Sequence, residues 1–257
     1  MTERLLEGRT ALLTGVGSGL GRGLATSFAA AGAKVALVAR SSAVPDALVQ
    51  EIRAAGGTAA FLKGDITDPA SIAQAVDETV ATFGGIDIVV QIAAHGQSHL
   101  SRPLDDITLD EWDQHVAITL SGCYQVAHAA YPALKASGRG RLIAITSAHG
   151  LAGDASNPIY ASLKGAIRGF AKALAKEWGD DAIAVNLFSP SSESESSKAY
   201  FALHPEAWEA LRAAFPMRRM GDPAIDIAPA IVALAGEQFR FVSGQTIPID
   251  GGFYTTL

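Results

Sequence analysis

Short apolar runs recur along the chain, and most are followed by a longer Ala-rich stretch whose apolar residues repeat at helical spacing. The runs TALLT (10–14), KVALVA (34–39), TAAFLK (58–63), IDIVVQIA (86–93), RLIAIT (141–146), AIAVNLF (182–188) and QTIPI (245–249) predict strands that are apolar on both faces. Several of the intervening helices have legible starts. Asp68-Pro69, Asn157-Pro158 and Asp222-Pro223 each pair an N-cap residue with a proline suited to the first helical position. Thr108 and Glu111 have the spacing of a capping box. Strand and helix alternate nearly to the end, which predicts an α/β fold with one doubly wound parallel sheet of about seven strands and helices on both faces.

The rhythm breaks once. Residues 191–216, SSESESSKAYFALHPEAWEALRAAFP, form an insertion far longer than the usual connection of about 4–6 residues. Tyr200, Phe201, Trp208 and Phe215 predict a lid with an apolar underside, and its Ser/Glu-rich start reads as mobile. The 257 residues are 49% hydrophobic and 18% charged, the composition of a core-rich globule. A net charge of −6 argues against a nucleic-acid surface and favours small-molecule work. One cysteine, Cys123, excludes an internal disulfide and reads as a small core residue. No apolar run is long enough for a bilayer, and MTERLLEGR lacks the apolar core of a signal peptide, so a cytoplasmic location is expected. No His/Cys/Asp grouping has metal-ligand spacing, and no metal is expected.

Candidate chemistry begins after the first strand, which runs directly into TGVGSGLG (14–21). Glycines there allow a sharp turn and close approach to a pyrophosphate, which the free N–H groups of the following helix attract. Between a buried strand and a helix this predicts a dinucleotide site. At the end of the second strand an NAD site carries an acid for the ribose, whereas a 2′-phosphate requires a cation. Here Ala39 is followed by Arg40-Ser41-Ser42, favouring NADP over NAD. Further along, Tyr160 and Lys164 fall one turn apart on a helix opened by Asn157-Pro158. By themselves these two residues fit either a satisfied helix pair or a proton-exchanging pair in which the ammonium favours the phenolate.

With the glycine loop and YASLK on one chain, the sequence resembles the short-chain dehydrogenase/reductase family over essentially its whole length, and within it the 3-oxoacyl-reductase-like branch. TGVGSGLG matches the family's TGxxxGxG, Tyr160 and Lys164 its YxxxK, and Ser147, thirteen residues before Tyr160, its catalytic serine. Asp65-Ile66 matches the pair that holds adenine; RRMGDPAIDIA and IPIDGGF are also family-like. The resemblance implies a single NAD(P)-binding Rossmann domain over 1–257 with a lid at about 191–216. It also implies hydride exchange between a nicotinamide and a ketone or secondary alcohol. Tyr160 would give the proton, Ser147 would hydrogen-bond the substrate oxygen, and Lys164 would bind the ribose and lower the tyrosine's pKa. Cofactor contacts are implied for Gly15, Ser18, Gly19, Leu20, Gly21, Arg40, Ser41, Asp65, Ile66, Ile92, Ala93, Tyr160, Lys164 and Pro190. A homotetramer or homodimer is implied, with helices 108–136 and 157–178 in an isologous interface.

The chain departs from the family pattern at four places. NNAG is replaced by Gln91-Ile92-Ala93-Ala94, which alters a side-chain brace of the sheet. The tetrad asparagine becomes Thr119, whose hydroxyl is expected to bond back along its helix and bend it slightly. After the sixth strand, Pro190-Ser191 stands for PG. Glu193 and Glu195 stand for an apolar residue and a threonine. Thr119, Glu193 and Glu195 keep open a catalytically impaired dinucleotide-binding sensor or partner subunit, and among enzymes an NAD-dependent alcohol dehydrogenase stays open as the alternative. His149, two residues after Ser147, and His95 are expected to line the substrate cavity.

Overall fold

The computed structural model describes residues 4–17, 19–98, 100–193 and 195–255, with only the backbone described for Glu195 and Ser196. Its first half alternates strictly: β1 Thr10–Thr14, α1 Leu20–Ala30, β2 Lys34–Ala39, α2 Ala43–Ala54, β3 Thr58–Lys63, α3 Pro69–Phe83 and β4 Ile88–Gln91. The second half adds α4 Leu109–His115, α5 Gly122–Ser137, β5 Arg141–Ile145, a short α6 His149–Ala152, α7 Pro158–Glu177 and β6 Ala184–Pro190. After these come α8 Glu195–Leu203, α9 Pro205–Ala214, α10 Ala228–Ala235 and β7 Thr246–Ile249. The seven strands are all parallel, in the order β3-β2-β1-β4-β5-β6-β7.

Apolar residues fill both faces of each central strand because successive side chains point to opposite sides. Leu13, Val35, Leu37 and Val90 pack with Leu24, Phe28 and Ile231 of α1 and α10. Their neighbours Leu12, Ala36, Val38 and Val89 pack on the other face with Val126, Ile167 and Leu174 of α5 and α7. Cys123 belongs to this second layer, where burial pushes its thiol up to about 11.

The predicted caps form. Asp68 accepts from the Ala70 amide, Asp222 from Ala224 and Ile225, and Thr108 and Glu111 complete their capping box. Several boundaries move, two of them with a visible cause. The sixth strand starts at Ala184 rather than 182, because Ala182 is still turning at a φ of 57°. The helix expected over 108–136 is interrupted by a π-helical stretch, Val116–Ser121. The apolar lid underside also needs correction. Of its four aromatics only Phe215 is buried, stacked on Phe253 at 4.5 Å between ring centres. Phe201 and Trp208 pack on each other at 5.3 Å, and Tyr200 is exposed. Of the Ser/Glu start, Ser194 lies outside the described residues, and α8 begins at Glu195. Among the described residues no helix is long and apolar enough to cross a membrane.

Candidate active site

Between β1 and β4 the strand order reverses, and a doubly wound sheet opens a crevice at the carboxyl ends of its strands there. A cleft of about 630 Å³ occupies that position, lined by Gly15, Gly17, Arg40, Asp65, Ile92 and Ala93 among others. Ser41 and Ile66 also line it. Gly15 has a φ of 75°, and a Cβ on it would lie 2.6 Å from Ala93 Cα, so the turn packs directly on the main chain leaving β4. A Cβ on Gly17 would meet only open space, leaving that side of the turn free for a ligand. Gly19 is the N-cap of α1, Leu20 and Gly21 form its first turn, and no side chain caps it. Ser18 lies outside the described residues. This uncapped helix end facing a glycine turn is the donor set a pyrophosphate needs.

Arg40 extends from the end of β2, exposed, with no hydrogen bond or ion pair among the described residues. Opposite it, Asp65 accepts from the Thr67 amide at 2.9 Å and the Thr67 hydroxyl at 2.7 Å. Those bonds, with a smaller contribution from Arg40, hold its carboxyl below the usual range. The residues therefore fit a dinucleotide.

On α7, Asn157 caps the helix by accepting the Tyr160 amide at 3.2 Å. Its own amide group donates to the carbonyls of Ser98 at 2.9 Å and Leu100 at 2.8 Å. Asn157 thus ties the loop beyond β4 to the start of α7, a role its N-cap signature alone did not disclose. Tyr160 is half-buried and lines the same cavity as Ser147. Lys164 is 2% exposed, with Nζ 5.6 Å from the Tyr160 ring centre and donating to the Ile145 carbonyl at 3.2 Å. Burial pushes the ammonium down to about 8. The expectation that Lys164 lowers the tyrosine's pKa is corrected: burial raises it, against a smaller opposing contribution from Ser147. Both groups are withdrawn from water, and desolvation disfavours the phenolate as it does the ammonium.

Ser147, Tyr160 and Pro190 line a second cavity of about 470 Å³, and His149 lines it as expected. The His149 Nδ1 lies 2.9 Å from an Asp154 carboxylate oxygen, and its ring stands edge-on to Tyr160, with centres 5.9 Å apart. Phe215, expected on the lid underside, is part of the wall, and Asp154, Ser192, Phe253 and Tyr254, which sequence reasoning did not assign to it, complete much of the rest. The signal for the last two was the turn before them: Asp250 accepts from the Gly252 amide at 3.0 Å and the Tyr254 amide at 2.9 Å, folding the chain end over the site.

His95 is not among the residues lining this cavity. Its ring lies against that of His115, 3.8 Å between centres, and burial, followed by the neighbouring His95, pushes the His115 imidazole down. Its main-chain amide donates to the Thr119 hydroxyl at 3.1 Å. The back-bond expected of Thr119 is therefore replaced by an accepted bond from another loop, and the expected bend is a π-helical stretch instead. Gln91 supplies the altered brace: its Oε1 accepts from the Thr14 hydroxyl at 3.0 Å and its Nε2 donates to the Ala93 carbonyl at 3.3 Å. Glu193 sits where the segment after β6 is pinned, its amide donating to the Gly221 carbonyl at 3.0 Å. The Glu195 side chain lies outside the description.

Residues 15–254 match the family model described as enoyl-(acyl carrier protein) reductase. The chain is 35% identical over 248 residues to 2,5-dichloro-2,5-cyclohexadiene-1,4-diol dehydrogenase LinX of Sphingobium indicum, covering 96% of this chain and 97% of that one. It is 32% identical over 249 residues to the 3-oxoacyl-(acyl-carrier-protein) reductase FabG of Escherichia coli K12, covering 96% and 98%. A solved structure assigned as a short-chain alcohol dehydrogenase, from Sinorhizobium meliloti 1021, superposes with a TM-score of 0.91 at 29% identity and covers 99% of both chains.

Proposed function

The chain belongs to the short-chain dehydrogenase/reductase family and is an oxidoreductase that transfers hydride; from that premise we propose that its cofactor is NADP and its substrate a ketone or the corresponding secondary alcohol. The observation that carries this reading is the meeting of Ser147, Tyr160 and Lys164 at the strand ends beside the glycine-lined cleft. When bound, the dinucleotide supplies the carbon that gives or receives the hydride.

The glycines Gly15, Gly17 and Gly19 and the open end of α1 would hold the pyrophosphate, and Asp65 and Ile66 the adenine. Arg40 and Ser41 take the 2′-phosphate, and Ile92, Ala93, Lys164 and Pro190 line the nicotinamide half. The end of β2 reads Ala39-Arg40-Ser41-Ser42 with no acid, which disfavours NAD. Ser147 donates to the substrate oxygen and fixes its position. Tyr160, whose phenol stays protonated at neutral pH, gives its proton to that oxygen in reduction. Lys164 anchors the ribose and restores the tyrosine's proton. His149, braced by Asp154, hydrogen-bonds a second oxygen of the substrate, and the stacked Phe215 and Phe253 receive its carbon body. Helices α8 and α9 act as the lid of this cavity.

Cofactor choice is tested by titrating NADPH and NADH calorimetrically into the parent and Arg40→Ala. Loss of one charge-assisted contact weakens NADPH about 10- to 100-fold and leaves NADH nearly unchanged. Equal losses for the two cofactors would remove the assignment of Arg40 to the 2′-phosphate.

A further inference from the structure

At the amino ends of β5 and β6, on the opposite edge of the sheet from the cleft and the catalytic cavity, lies another cavity of about 420 Å³. Arg139, Arg141 and Arg240 all line it. Arg141 is only 3% exposed; its Nη1 donates to the carbonyls of Arg139 and Gly140, while its buried Nε has no partner. Immediately behind, Arg9 is also buried, with Nη1 unpartnered. Two carboxylates face this group. Asp87 pairs with Arg139 and also accepts the Thr10 amide, and Glu237 pairs with Arg9. Arg141 and Arg240 form no ion pair among the described residues. Four guanidiniums against two carboxylates leave a local excess of two positive charges in a chain whose net charge is −6. Buried charge of one sign is expensive unless something pairs with it. Burial first, then Arg9, Arg139 and Arg240, push the Arg141 guanidinium down to about 10, with Asp87 opposing.

Glu237, already paired with Arg9, and Ser243 also line it; the rest of the wall is apolar or small, including Ala175, Ile183 and Ala184, with Phe241 fully exposed at the rim. The geometry points to a second binding site, distinct from the dinucleotide cleft, for a phosphate monoester: the phosphoryl dianion seats among Arg139, Arg141 and Arg240, and the organic group lies against Ile183 and Phe241. A dianion matches the local excess, and guanidinium forks suit phosphoryl oxygens.

The test is calorimetric titration of phenyl phosphate and inorganic phosphate into the parent, Arg240→Ala and Arg40→Ala. Arg240 is exposed, so its removal spares the core, and circular dichroism checks that the variants remain folded. The expected result is one saturable phenyl phosphate site per chain, weakened about tenfold or more by Arg240→Ala and unchanged by Arg40→Ala. Absence of saturable binding up to about 10 mM would overturn the site. Binding insensitive to Arg240→Ala, or lost in Arg40→Ala, would overturn its location. Equal affinity for inorganic phosphate would overturn the assignment of an organic ester.

Discussion

The Thr119 hydroxyl accepts the main-chain amide of His95 at 3.1 Å, joining the π-helical stretch Val116–Ser121 to the loop that leaves β4. That loop begins with Ile92 and Ala93, which line the dinucleotide cleft. A fully buried side chain far along the chain thus sets the position of a cofactor wall. π-Helical turns inside helices recur at functional sites because they expose a carbonyl the regular helix would use.

Thr119→Val keeps the shape and removes the acceptor. The His95 amide then lacks its partner, a loss of about 1 kcal/mol, and melting temperature falls by about 2–4 °C. Because the loop also shapes the cleft, cofactor affinity and turnover fall together, modestly. Thr119→Asn can still accept from the amide and should retain activity. Calorimetry and steady-state rates on the same preparations check both variants.

Lys164 is held charged in a site that burial makes hostile to it, with a pKa of about 8 against 10.5 in the unfolded chain. Between those values the unfolded chain retains a proton that the folded chain has released, so stability rises with pH across that window. Below it the whole penalty is present. Lys164→Met removes the penalty and loses the bond to Ile145, a net gain of about 2 kcal/mol at neutral pH. The variant should therefore melt about 4–8 °C higher than the parent at pH 7 while losing activity. Its advantage should shrink as pH climbs from 8 to 10.5. A melting series against pH reads this directly, and an advantage that grew with pH would reverse the sign.

Gly15→Ala would force a methyl group to within 2.6 Å of Ala93 Cα at a φ of 75°. The turn and the end of β4 must separate, at about 1–3 kcal/mol, and the cleft changes shape. Thermal melting should drop and NADPH binding weaken in the same variant. Gly17→Ala, whose added carbon meets no protein atom, should melt more nearly like the parent and show its effect in binding.

Much of the architecture was legible because local chemistry and burial agree. Asp68, Thr108, Asn157 and Asp222 mark helix starts by residues that cap in any context, and each caps as expected. The doubly wound sheet follows from strands such as Leu12-Leu13 that are apolar on both faces. Long-range partners were not legible. Nothing near Thr119 in sequence names His95 as its donor, and nothing near His149 singles out Asp154 as the carboxylate beside it. His95 was expected at the substrate because it follows the altered stretch after β4, yet its ring lies against His115 at the end of α4. The balance at the tyrosine was not legible either: the i, i+4 spacing reveals a neighbouring charge but not that burial outweighs it.

The account rests on Tyr160 as the proton donor of a hydride-transfer enzyme, and one measurement tests it most directly. NADPH consumption is followed at the nicotinamide absorbance with a panel of ketones, for the parent and for Tyr160→Phe, with NADPH affinity measured on both. The account predicts that at least one ketone is reduced by the parent, that Tyr160→Phe is slower by about 10²-fold or more, and that NADPH still binds the variant. A folded, cofactor-binding Tyr160→Phe protein that reduces the same ketone at the parent rate would contradict it.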